Sequence, residues 1–581
     1  MLPQVPEDDS CQSNSLAMPD RIISIPSPNQ KTSLCQRMID SFKPALPTTS
    51  VSIEMNELKQ IESNDDDVRK GETGLHQTLT NRHLQMIAIG GSIGTGLFVG
   101  SGSSLATGGP AALIIDYVVI GFMLFNVSMA LGELSVVFPV SGSFSTLSTR
   151  FLDPAWGFAM GWNYALNWLV VMPLELTAAG LVVGYWTTSV NIAVWISILL
   201  VALLIVNLFG VRGYGEIEFF ISIIKVIAIV GFIILGIVLI FGGGPNHEYI
   251  GGKYWKNPGA FANGFQGICT VFVTAAFAFA GTELVGLAAA ETDNPKETIP
   301  RATKQVFWRV TLFYIVSLTI IGCLVPYTSS RLLNGSSSYD ASASPFVIAI
   351  EDAGIKVLPS IFNAVILCAV LSVANSSVYG ASRTLCALAE CGQAPKILAY
   401  IDRKGRPLSS IIISMLLGCI AYINCGKVGS QVFNWLVAIS GLSSFFTWGS
   451  ICACHIMFRL AWTSQGHSLK ELPFVAPFGV IGSYFGLLLN IICLVAQFYV
   501  ALFPVDGSPN AEAFFEAYLA APIVIASYLV WKIWQKTSFQ RPSTVDLETG
   551  RRLFDTQQSA EEEKAQRKTW SLWKRLYYKL C

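Results

Sequence analysis

Four ionisable side chains stand inside long apolar stretches of this sequence, where they could bind a ligand or carry protons. They are Glu133, Glu175, Lys225 and Glu283. A charge within a lipid bilayer is costly, so an ionisable residue in a membrane span is by default a functional candidate. The alternative for each is a structural ion pair between helices or a position at the membrane edge. We adopt this alternative for Glu133, near the end of its apolar run, and treat the other three as candidates for coupling or binding.

A glycine-rich motif occurs twice in the apolar part of the chain. The stretch GGSIGTGLFVG, residues 90–100, contains five glycines, and its segment 94–97 (GTGL) resembles segment 281–284 (GTEL) five apolar runs later. Each glycine costs a helix interior about 1 kcal/mol relative to alanine. Glycine-interrupted helices at corresponding positions of two halves indicate a transporter built from inverted repeats. The alternative is that these glycines only allow helices to pack closely.

Two broken helices that face each other would offer backbone groups to a ligand. The N–H groups at the start of a half-helix can bind a carboxylate, and the carbonyl groups at the end of a half-helix can accept hydrogen bonds from an ammonium group. A zwitterionic α-amino acid carries both groups at a fixed separation. The paired breaks therefore predict a site for such a ligand.

Hydroxyl and amide side chains in two later apolar runs could line a polar cavity. They occur in the segments 440–444 (SGLSS, with Ser440 and Ser443) and 375–377 (NSS). Hydroxyl groups also form hydrogen bonds to the backbone of their own helix, so these segments have an equally simple structural interpretation.

Several function classes find no support in the sequence. A phosphate-binding loop of the G-x-x-x-x-G-K-[ST] type does not occur, so ATP-driven transport is not expected. Cys452 and Cys454 in the segment CACH point to different faces of a helix, which argues against a metal site with His455. We find no nucleophile–base set and predict neither an enzyme nor a cofactor. The formal net charge of zero gives no indication of nucleic-acid binding.

The composition is that of a polytopic membrane protein. Of the 581 residues, 52% are hydrophobic and 13% charged, against about 25% charged in soluble domains. Runs of about 20 apolar residues span a bilayer as helices, so we predict an all-α fold. The sequence contains about twelve such runs: 84–106, 110–138, 157–187, 192–210, 217–242, 264–289, 305–327, 357–388, 408–425, 432–459, 478–503 and 514–534.

The organisation predicted from these runs is a transporter domain, residues 84–535, between two polar tails. We expect residues 1–83 and 536–581 to be disordered. An even number of spans places both tails on one side. Thirteen Lys and Arg residues fall on that side, among them Arg309, Arg383 and Arg459, and five on the other, so the tails are predicted to be cytosolic. The sequon at Asn334 would then face outward and could be glycosylated.

Four long motifs resemble those of a known family. They are GGSIGTGLFVGSG, SGSFSTLSTRFLDPAWGFAMGWNY, FAFAGTELVGLAAAETDNPKETIPRA and SRTLCALAECGQAPKILAYIDRKGRPL. In this order they resemble the fungal amino-acid permeases of the amino acid–polyamine–organocation superfamily, over residues 75–535. The segment NWLVAISGLSSFFTWGSICACHIMFRLAW is more similar to the general than to the basic amino-acid permeases.

The resemblance implies a five-plus-five inverted repeat with two further helices, the leucine-transporter fold, with helices 1 and 6 broken. It implies proton-driven uptake of amino acids at the plasma membrane. Lys225 resembles a fifth-helix lysine, and Glu175 a third-helix glutamate, that imply proton coupling; Glu283 is a further candidate for it. The substrate carboxylate would meet Ser92, Ile93, Gly94, Thr95 and Gly96. The amino group and side chain would meet Phe277, Ala278, Phe279, Ala280, Gly281, Thr282 and Glu283.

The tails also carry features of the family. Lys59 and Lys70 resemble ubiquitin acceptors, which implies ubiquitin-ligase adaptors as partners. The basic and aromatic end of the chain would lie on membrane lipids, and its terminal Cys581 resembles palmitoylated cysteines in the family. The alternative for Cys581 is a free thiol.

Two other functions remain open. One is a narrow permease for basic amino acids, or a carrier of polyamines or choline-like amines. The other is a nutrient sensor, or a carrier that also signals, although sensors in this family carry much longer N-terminal domains than the 83 residues expected here. The sequence favours broad amino-acid uptake, and the carboxylate-type motif of the first run favours substrates with a carboxyl group.

Overall fold

The structure is a computed structural model that describes residues 40–44, 79–91, 93–140, 142–292, 294–333, 344–426, 429–505 and 507–552. Five residues singled out above lie outside this part: Lys59, Lys70, Ser92, Asn334 and Cys581. The chain divides into two units, 1–43 and 44–581. In the first unit the described residues form one turn, in which Lys43 pairs with Asp40 at 2.5 Å.

The second unit is a helical bundle, whose helices we number as spans 1 to 12. Span 1 consists of the helix Asn81–Gly90, the π-helical turn Gly96–Gly100 and the start of the helix Ser101–Val137. Gly109 (φ 80°) kinks that helix, and the part after it is span 2. Spans 3, 4 and 5 are Pro154–Gly184, Ile192–Leu208 and Gly210–Ile240, and span 6 is Gly264–Phe279 followed by Leu284–Leu287 and Ala288–Glu291.

The second half continues in the same way. Span 7 runs through Pro295–Trp308, Arg309–Val316 and Ser317–Leu324, and span 8 is Leu358–Glu390. Span 9 is Leu408–Gly418 with the 3-10 turn Cys419–Cys425, and spans 10 and 11 are Gly429–Ser464 and Gly479–Leu502. Span 12 is the pair Ala511–Tyr518 and Ala520–Gln535, bent by 67°. The short helices between the spans are Phe144–Phe151, Lys253–Lys256, Ser330–Leu333, Pro345–Asp352, Lys396–Ala399 and Leu469–Glu471.

The number of spans agrees with the prediction once broken helices are counted as one. Nine described helices are long and apolar enough to cross a membrane, or ten with the bent pair of span 12. The shorter helix Ile192–Leu208 and the division of one long helix at Gly109 give twelve. The all-α polytopic class and both predicted breaks are therefore confirmed, and the breaks lie five spans apart, as a five-plus-five repeat requires.

The spans differ in how deeply they are buried in the bundle. The apolar window of span 3 is 83% buried and that of span 6 is 78% buried, whereas span 5 is only 28% buried. Because the exposed side chains of span 5 are large and apolar, such as Phe220, Ile227 and Ile234, this face suits contact with lipid tails rather than water. The two most buried windows are those of span 3 and of the broken span 6.

The ion-pair interpretation of Glu133 is confirmed. At the end of span 2 its carboxylate pairs with Arg459 at 2.6 Å and with the ring of His455 at 3.1 Å. It also accepts a hydrogen bond from the backbone N–H of Ala476 at 2.7 Å. These contacts join spans 2 and 10 to the segment before span 11. Arg459, which the sequence analysis counted among the loop charges, is 5% exposed.

The first residues after span 12 pack against the bundle, so the prediction of a disordered tail from residue 536 is wrong for 536–552. Gln540 N–H donates to Leu152 O at 2.8 Å and Arg552 N–H donates to Val137 O at 3.0 Å. Val545 and Leu547 are buried in an apolar cluster with Phe138, Leu147, Phe151, Phe458 and Trp462. We call residues 536–552 the docked segment, and the end of the bundle that carries residues 137–153, 464–479 and 536–552 the tail side.

Charged groups anchor the start of the docked segment and stabilise a turn further along it. Asp153, the N-cap of span 3, accepts hydrogen bonds from Lys532 and from Thr537. Burial raises the pKa of Asp153, but the hydrogen bonds from Lys532, Thr537 and the N–H of Ala155 outweigh it and leave this pKa below its ordinary value. Hydrogen bonds from the side chain and N–H of Thr549 lower the pKa of Asp546 to about 2. Both carboxylates are therefore charged at neutral pH.

We expect a chain that ends at Gln535 to be less stable than the full chain. Loss of the docked segment would expose Phe458 and Trp462, which form one apolar cluster with Val545 and Leu547. Burial of apolar area stabilises a fold by about 25 cal/mol per Å². The measurement is the melting temperature of the purified protein in detergent. A chain that ends at Arg552 is the matched control and should melt with the full chain. Equal melting temperatures for all three chains would contradict a structural role for the docked segment.

Candidate substrate-binding site

The first break separates the two halves of span 1. The helix Asn81–Gly90 ends in the C-cap Gly91, whose N–H donates to Ile87 O at 2.9 Å, and the helix resumes at Gly96. Ile93, Gly94, Thr95 and Gly96 are all buried. At the restart the first helical hydrogen bond runs from Phe98 N–H to Gly94 O at 3.2 Å. The N–H groups just before Phe98 thus form a half-helix N-terminus, the arrangement that attracts an anion.

Gly94 and Gly96 are also places of close packing. A Cβ on Gly96 would lie 2.4 Å from the Cα of Ala278, next to the break of span 6. A Cβ on Gly94 would lie 2.5 Å from a methyl group of Val373 in span 8 and 3.5 Å from Glu175 Oε1. The two explanations for the glycines therefore hold together: the helix is open here, and the backbones of spans 1 and 6 touch.

The second break interrupts span 6 after Phe279. Ala280 is extended (ψ 145°), and Gly281 has φ 96°, a conformation that favours glycine. Tyr314 OH donates to Ala278 O at 2.7 Å, and Thr282 Oγ1 donates to Phe279 O at 2.8 Å. Two of the carbonyl groups predicted to receive a substrate amino group are thus already engaged by the protein.

The remaining predicted residues of span 6 surround this break. Phe277 lies buried in the last turn before it, and the ring of Phe279 stacks on Tyr314 with centroids 4.1 Å apart. Glu283 is 3% exposed. Its Oε1 accepts a hydrogen bond from Gly281 N–H at 3.2 Å, and its Oε2 accepts one from Trp448 Nε1 at 3.2 Å. Glu283 therefore braces the break against span 10.

Arg309 bridges the two breaks, and the sequence analysis missed it. Its guanidinium donates to Ala88 O in span 1 and to Thr282 Oγ1 in span 6. Arg309 was counted as a loop charge on the tail side, but it is 1% exposed. An arginine within the apolar segment RVTLFYIV was the available signal, by the same argument that singled out Lys225.

The structure joins Glu175 to the first break. Thr95 Oγ1 donates a hydrogen bond to Glu175 Oε2, and Glu175 is 1% exposed. A candidate for coupling in span 3 and a candidate for substrate binding in span 1 are thus in direct contact. Protonation of Glu175 would replace an acceptor with a donor at this contact.

Lys225 lies in a second polar network between spans 5 and 8. Its Nζ donates to Ser372 Oγ at 2.7 Å and lies 3.8 Å from Glu218 Oε1. Ser372 Oγ in turn donates to Glu218 Oε1 at 2.6 Å. Ser222 Oγ donates to Met86 O of span 1 at 3.2 Å. The sequence analysis missed Glu218, whose position two helical turns before Lys225 puts both on one face of span 5.

The serines of span 10 divide into two roles. Ser443 Oγ donates to Asn163 Oδ1 at 2.8 Å, and Asn163 Nδ2 donates to Ser443 O at 3.1 Å, which ties span 10 to span 3. Ser440 Oγ is buried without a hydrogen-bond partner among the described residues. Of the two predicted serines, Ser440 therefore remains the one with free hydrogen-bonding capacity.

Contacts between span 8, the end of span 6 and a residue before span 1 lie on the tail side of the two breaks. Glu291, after span 6, pairs with Arg383 of span 8 at 3.2 Å and accepts a hydrogen bond from Tyr379 OH at 2.8 Å. Its backbone carbonyl accepts from Leu79 N–H, ahead of span 1, at 3.1 Å. A cavity of about 320 Å³ lies between the spans on the opposite side. The residues that line it include Ser103, Ser104, Thr107, Thr270, Thr274 and Asn434.

The comparisons with known proteins agree with this architecture. Residues 83–543 match the family model described as amino acid permease. The chain is 57% identical to general amino-acid permease GAP2 of Candida albicans over 513 residues, which cover 87% of each chain. It is 53% identical to general amino-acid permease GAP1 of Saccharomyces cerevisiae, over 93% of this chain and 91% of that one. It is 54% identical to cationic amino acid transporter 1 of Schizosaccharomyces pombe, over 84% of each chain.

The family suggested by the four sequence motifs is thereby confirmed. Its model covers both breaks, the Glu175 and Lys225 networks and all twelve spans except the first two residues of span 1. The relatives are all fungal and align over most of their own length. The chain therefore belongs to the amino acid permease family.

Proposed function

We propose that this amino-acid transporter is a proton-coupled symporter that imports amino acids of several classes across the plasma membrane of a fungal cell. The observation that carries the proposal is the contact between the two breaks and the hydrogen bond from Thr95 to Glu175. The side chain of Thr95 would then be part of the substrate site and at the same time contact the ionisable group of Glu175. The family is one of permeases, which move substrates rather than convert them.

Substrate recognition would use the backbone. The half-helix N-terminus around Gly94 to Gly96 would receive the substrate carboxylate. The ammonium group would face the segment Ala280–Glu283, because the carbonyl groups of Ala278 and Phe279 already accept hydrogen bonds. Backbone groups recognise what all α-amino acids share, so this arrangement suits broad specificity. Ser440 would be the polar side chain that faces the substrate.

Proton coupling would act through Glu175 and the Lys225 network. When Glu175 is charged it accepts from Thr95 and holds the first break; when protonated it can donate instead, which frees the hydroxyl of Thr95 for the substrate. Lys225 and Glu218 would offer a second exchange site, which Ser222 of the same span links to Met86 O in the first half of span 1. Proton binding from outside and release inside would then drive the cycle.

We expect Glu175→Gln to reduce uptake and to remove most of its pH dependence, because glutamine can donate to or accept from Thr95 but cannot exchange a proton. Initial uptake rates should be compared at about pH 5 and about pH 7.5, on either side of the range in which a buried carboxyl titrates. Glu297→Gln, at an exposed acid, is the control and should behave like the parent. A parental pH profile in Glu175→Gln would exclude Glu175 as the coupling group.

Substrate range can be tested in a host that lacks its own permeases. A panel of labelled neutral, acidic and basic amino acids should all be taken up and should compete with one another. Uptake of basic amino acids alone would support the second candidate, a narrow basic permease, which is favoured by the 54% identity to a relative named as a cationic transporter. No uptake by protein that reaches the surface would support a nutrient sensor.

The proposal includes the placement of the chain in the membrane. Both ends would face the cytosol, since the Lys and Arg residues of the loops are concentrated on their side. Asn334 would then face outward as a glycosylation site. Lys59 and Lys70 would serve as ubiquitin acceptors read by ubiquitin-ligase adaptors, and Cys581 would carry a palmitoyl chain on membrane lipids. These four residues remain predictions from the sequence.

A further inference from the structure

Asp116 is a buried carboxyl group that the proposed mechanism does not use. It lies in span 2, in the segment LIIDYVV, and its exposure is 0%. Neither carboxylate oxygen has a hydrogen-bond partner among the described residues. The sequence analysis missed it, although the argument that singled out Glu175 applied equally.

The other buried carboxyl groups of the described spans all have partners. Glu133 pairs with Arg459 and His455, and Glu291 pairs with Arg383 and Tyr379. Glu175, Glu218 and Glu283 accept hydrogen bonds from Thr95, Ser372 and Trp448, in that order. Asp116 differs from all five in having only packing around it.

The ionisable groups that face Asp116 are two thiols on neighbouring helices. Cys269 approaches from span 6 and Cys493 from span 11, and both are fully or almost fully buried. No cationic side chain of the described residues offsets a charge on Asp116. A charged carboxylate without a partner is costly in such surroundings. A charge on Asp116 is therefore unfavourable while spans 2, 6 and 11 stay packed as they are.

Tyr117, the residue after Asp116, brings span 2 into direct contact with the second break. The ring of Tyr117 lies 5.7 Å from that of Phe279 and 6.1 Å from that of Tyr314, centroid to centroid. Tyr314 OH holds Ala278 O at the break. A change of packing around Asp116 would therefore reach the break through Tyr117 and Phe279.

We propose that Asp116 is a further proton-binding residue, separate from Glu175 and Lys225, and that its protonation holds spans 2, 6 and 11 together beside the break of span 6. The step is a proton transfer alone. A carboxylate oxygen gains a proton from water while the interface is open, and it loses that proton to water only when the interface opens again. The proposal extends the proposed symport, because it adds a site to the same proton-driven cycle.

The first test reads the packing rather than transport. The purified protein in lipid nanodiscs is treated with a thiol reagent at about pH 6 and about pH 8.5, a range across which a buried carboxyl can lose its proton. Modification of Cys269 is measured by mass spectrometry relative to Cys386, a buried thiol of span 8 that packs with Ile401 and serves as the reference. The Cys269 to Cys386 ratio should rise with pH in the parent and stay flat in Asp116→Asn. A flat ratio in the parent would overturn the proposal.

The second test reads uptake. Asp116→Asn keeps the shape of the side chain and is always neutral, so its uptake should fall less between about pH 5 and about pH 7.5, which brackets the titration range of a perturbed carboxyl. The acid-to-neutral ratio of rates should move toward unity. If uptake by the parent depends on pH and Asp116→Asn has the same acid-to-neutral ratio as the parent, the role of Asp116 is overturned but the proposed symport is not. A parent whose uptake ignores pH would instead overturn the proposed proton coupling. If the variant does not reach the membrane, the thiol ratio of the parent decides.

Discussion

Gly96→Ala is expected to abolish amino-acid uptake, although alanine is the smallest possible replacement. The new Cβ would lie 2.4 Å from the Cα and 2.9 Å from the backbone nitrogen of Ala278. Backbone atoms cannot move aside as a flexible side chain can, so spans 1 and 6 would have to separate. Overpacking of a core commonly costs about 1–3 kcal/mol, and here the strain falls on the two segments that form the site. Initial uptake rates, corrected for protein at the cell surface, provide the measurement.

A matched glycine elsewhere separates this effect from the general effect of the substitution. Gly231 lies in span 5 with no heavy atom within 4 Å of the position of an added Cβ. Gly231→Ala should transport like the parent and be slightly more stable, because alanine is favoured over glycine in a helix by about 1 kcal/mol. Parental uptake in Gly96→Ala would mean that the close approach of the two breaks is not needed for transport.

Arg309→Gln is the second change from which we expect a near-complete loss of uptake. The guanidinium holds Ala88 O and Thr282 Oγ1, and its charge lies close to Glu283. Glutamine is too short to reach both acceptors and is neutral. A buried polar group left without its partner costs about 1–3 kcal/mol, more when a charge is involved. We expect lower thermal stability together with lower uptake, measured on the same preparation.

Two further variants define what Arg309 contributes. Arg309→Lys keeps the charge but replaces a planar fork by a point donor, so it should recover stability more than uptake. Arg301→Gln removes a partly exposed arginine that pairs with Glu297 at 3.4 Å, and surface pairs contribute at most about 1 kcal/mol. Equal uptake in Arg309→Gln and Arg301→Gln would show that the bridge between the breaks is dispensable.

These variants address one feature: the site is formed by contact between spans that are distant in sequence. Gly96 and Ala278 are in contact across 182 positions, and Arg309 adds a third span to the same contact. If Gly96→Ala and Arg309→Gln both fail in transport, and Arg309→Lys folds, the bridge positions the breaks rather than merely stabilising the bundle. That result would identify Arg309 as a positioning residue for the site.

The sequence determined the helices and their interruptions, because hydropathy and glycine content are local properties of the chain. Span 4 was predicted at 192–210 and is Ile192–Leu208. The larger errors have a simple cause. Span 5 was predicted to start at 217 but begins at Gly210, since Arg212, Glu216 and Glu218 lower the hydropathy without ending the helix. A helix continues through polar residues wherever the bundle or the headgroups can receive them.

The sequence also determined which groups near the site are ionisable, but not what they contact. Glu175 was singled out correctly as a buried carboxyl, yet only the fold brings it to Thr95. Arg309 and Asp116 were open to the same argument and were missed. The sequence analysis counts Arg309 among the loop charges, whereas its burial depends on where spans 1 and 6 pass.

Tertiary structure alone decided how the polar groups are satisfied. The sequence gives no sign that the carbonyl groups of Ala278 and Phe279 have partners, but they accept hydrogen bonds from Tyr314 and Thr282. Residues 536–552 look like a polar tail, yet Val545 and Leu547 complete an apolar cluster on the tail side. The physical reason is common to both cases. Hydropathy depends on each residue and its neighbours in sequence, whereas hydrogen bonding and burial depend on which distant surfaces the fold brings within a few ångströms.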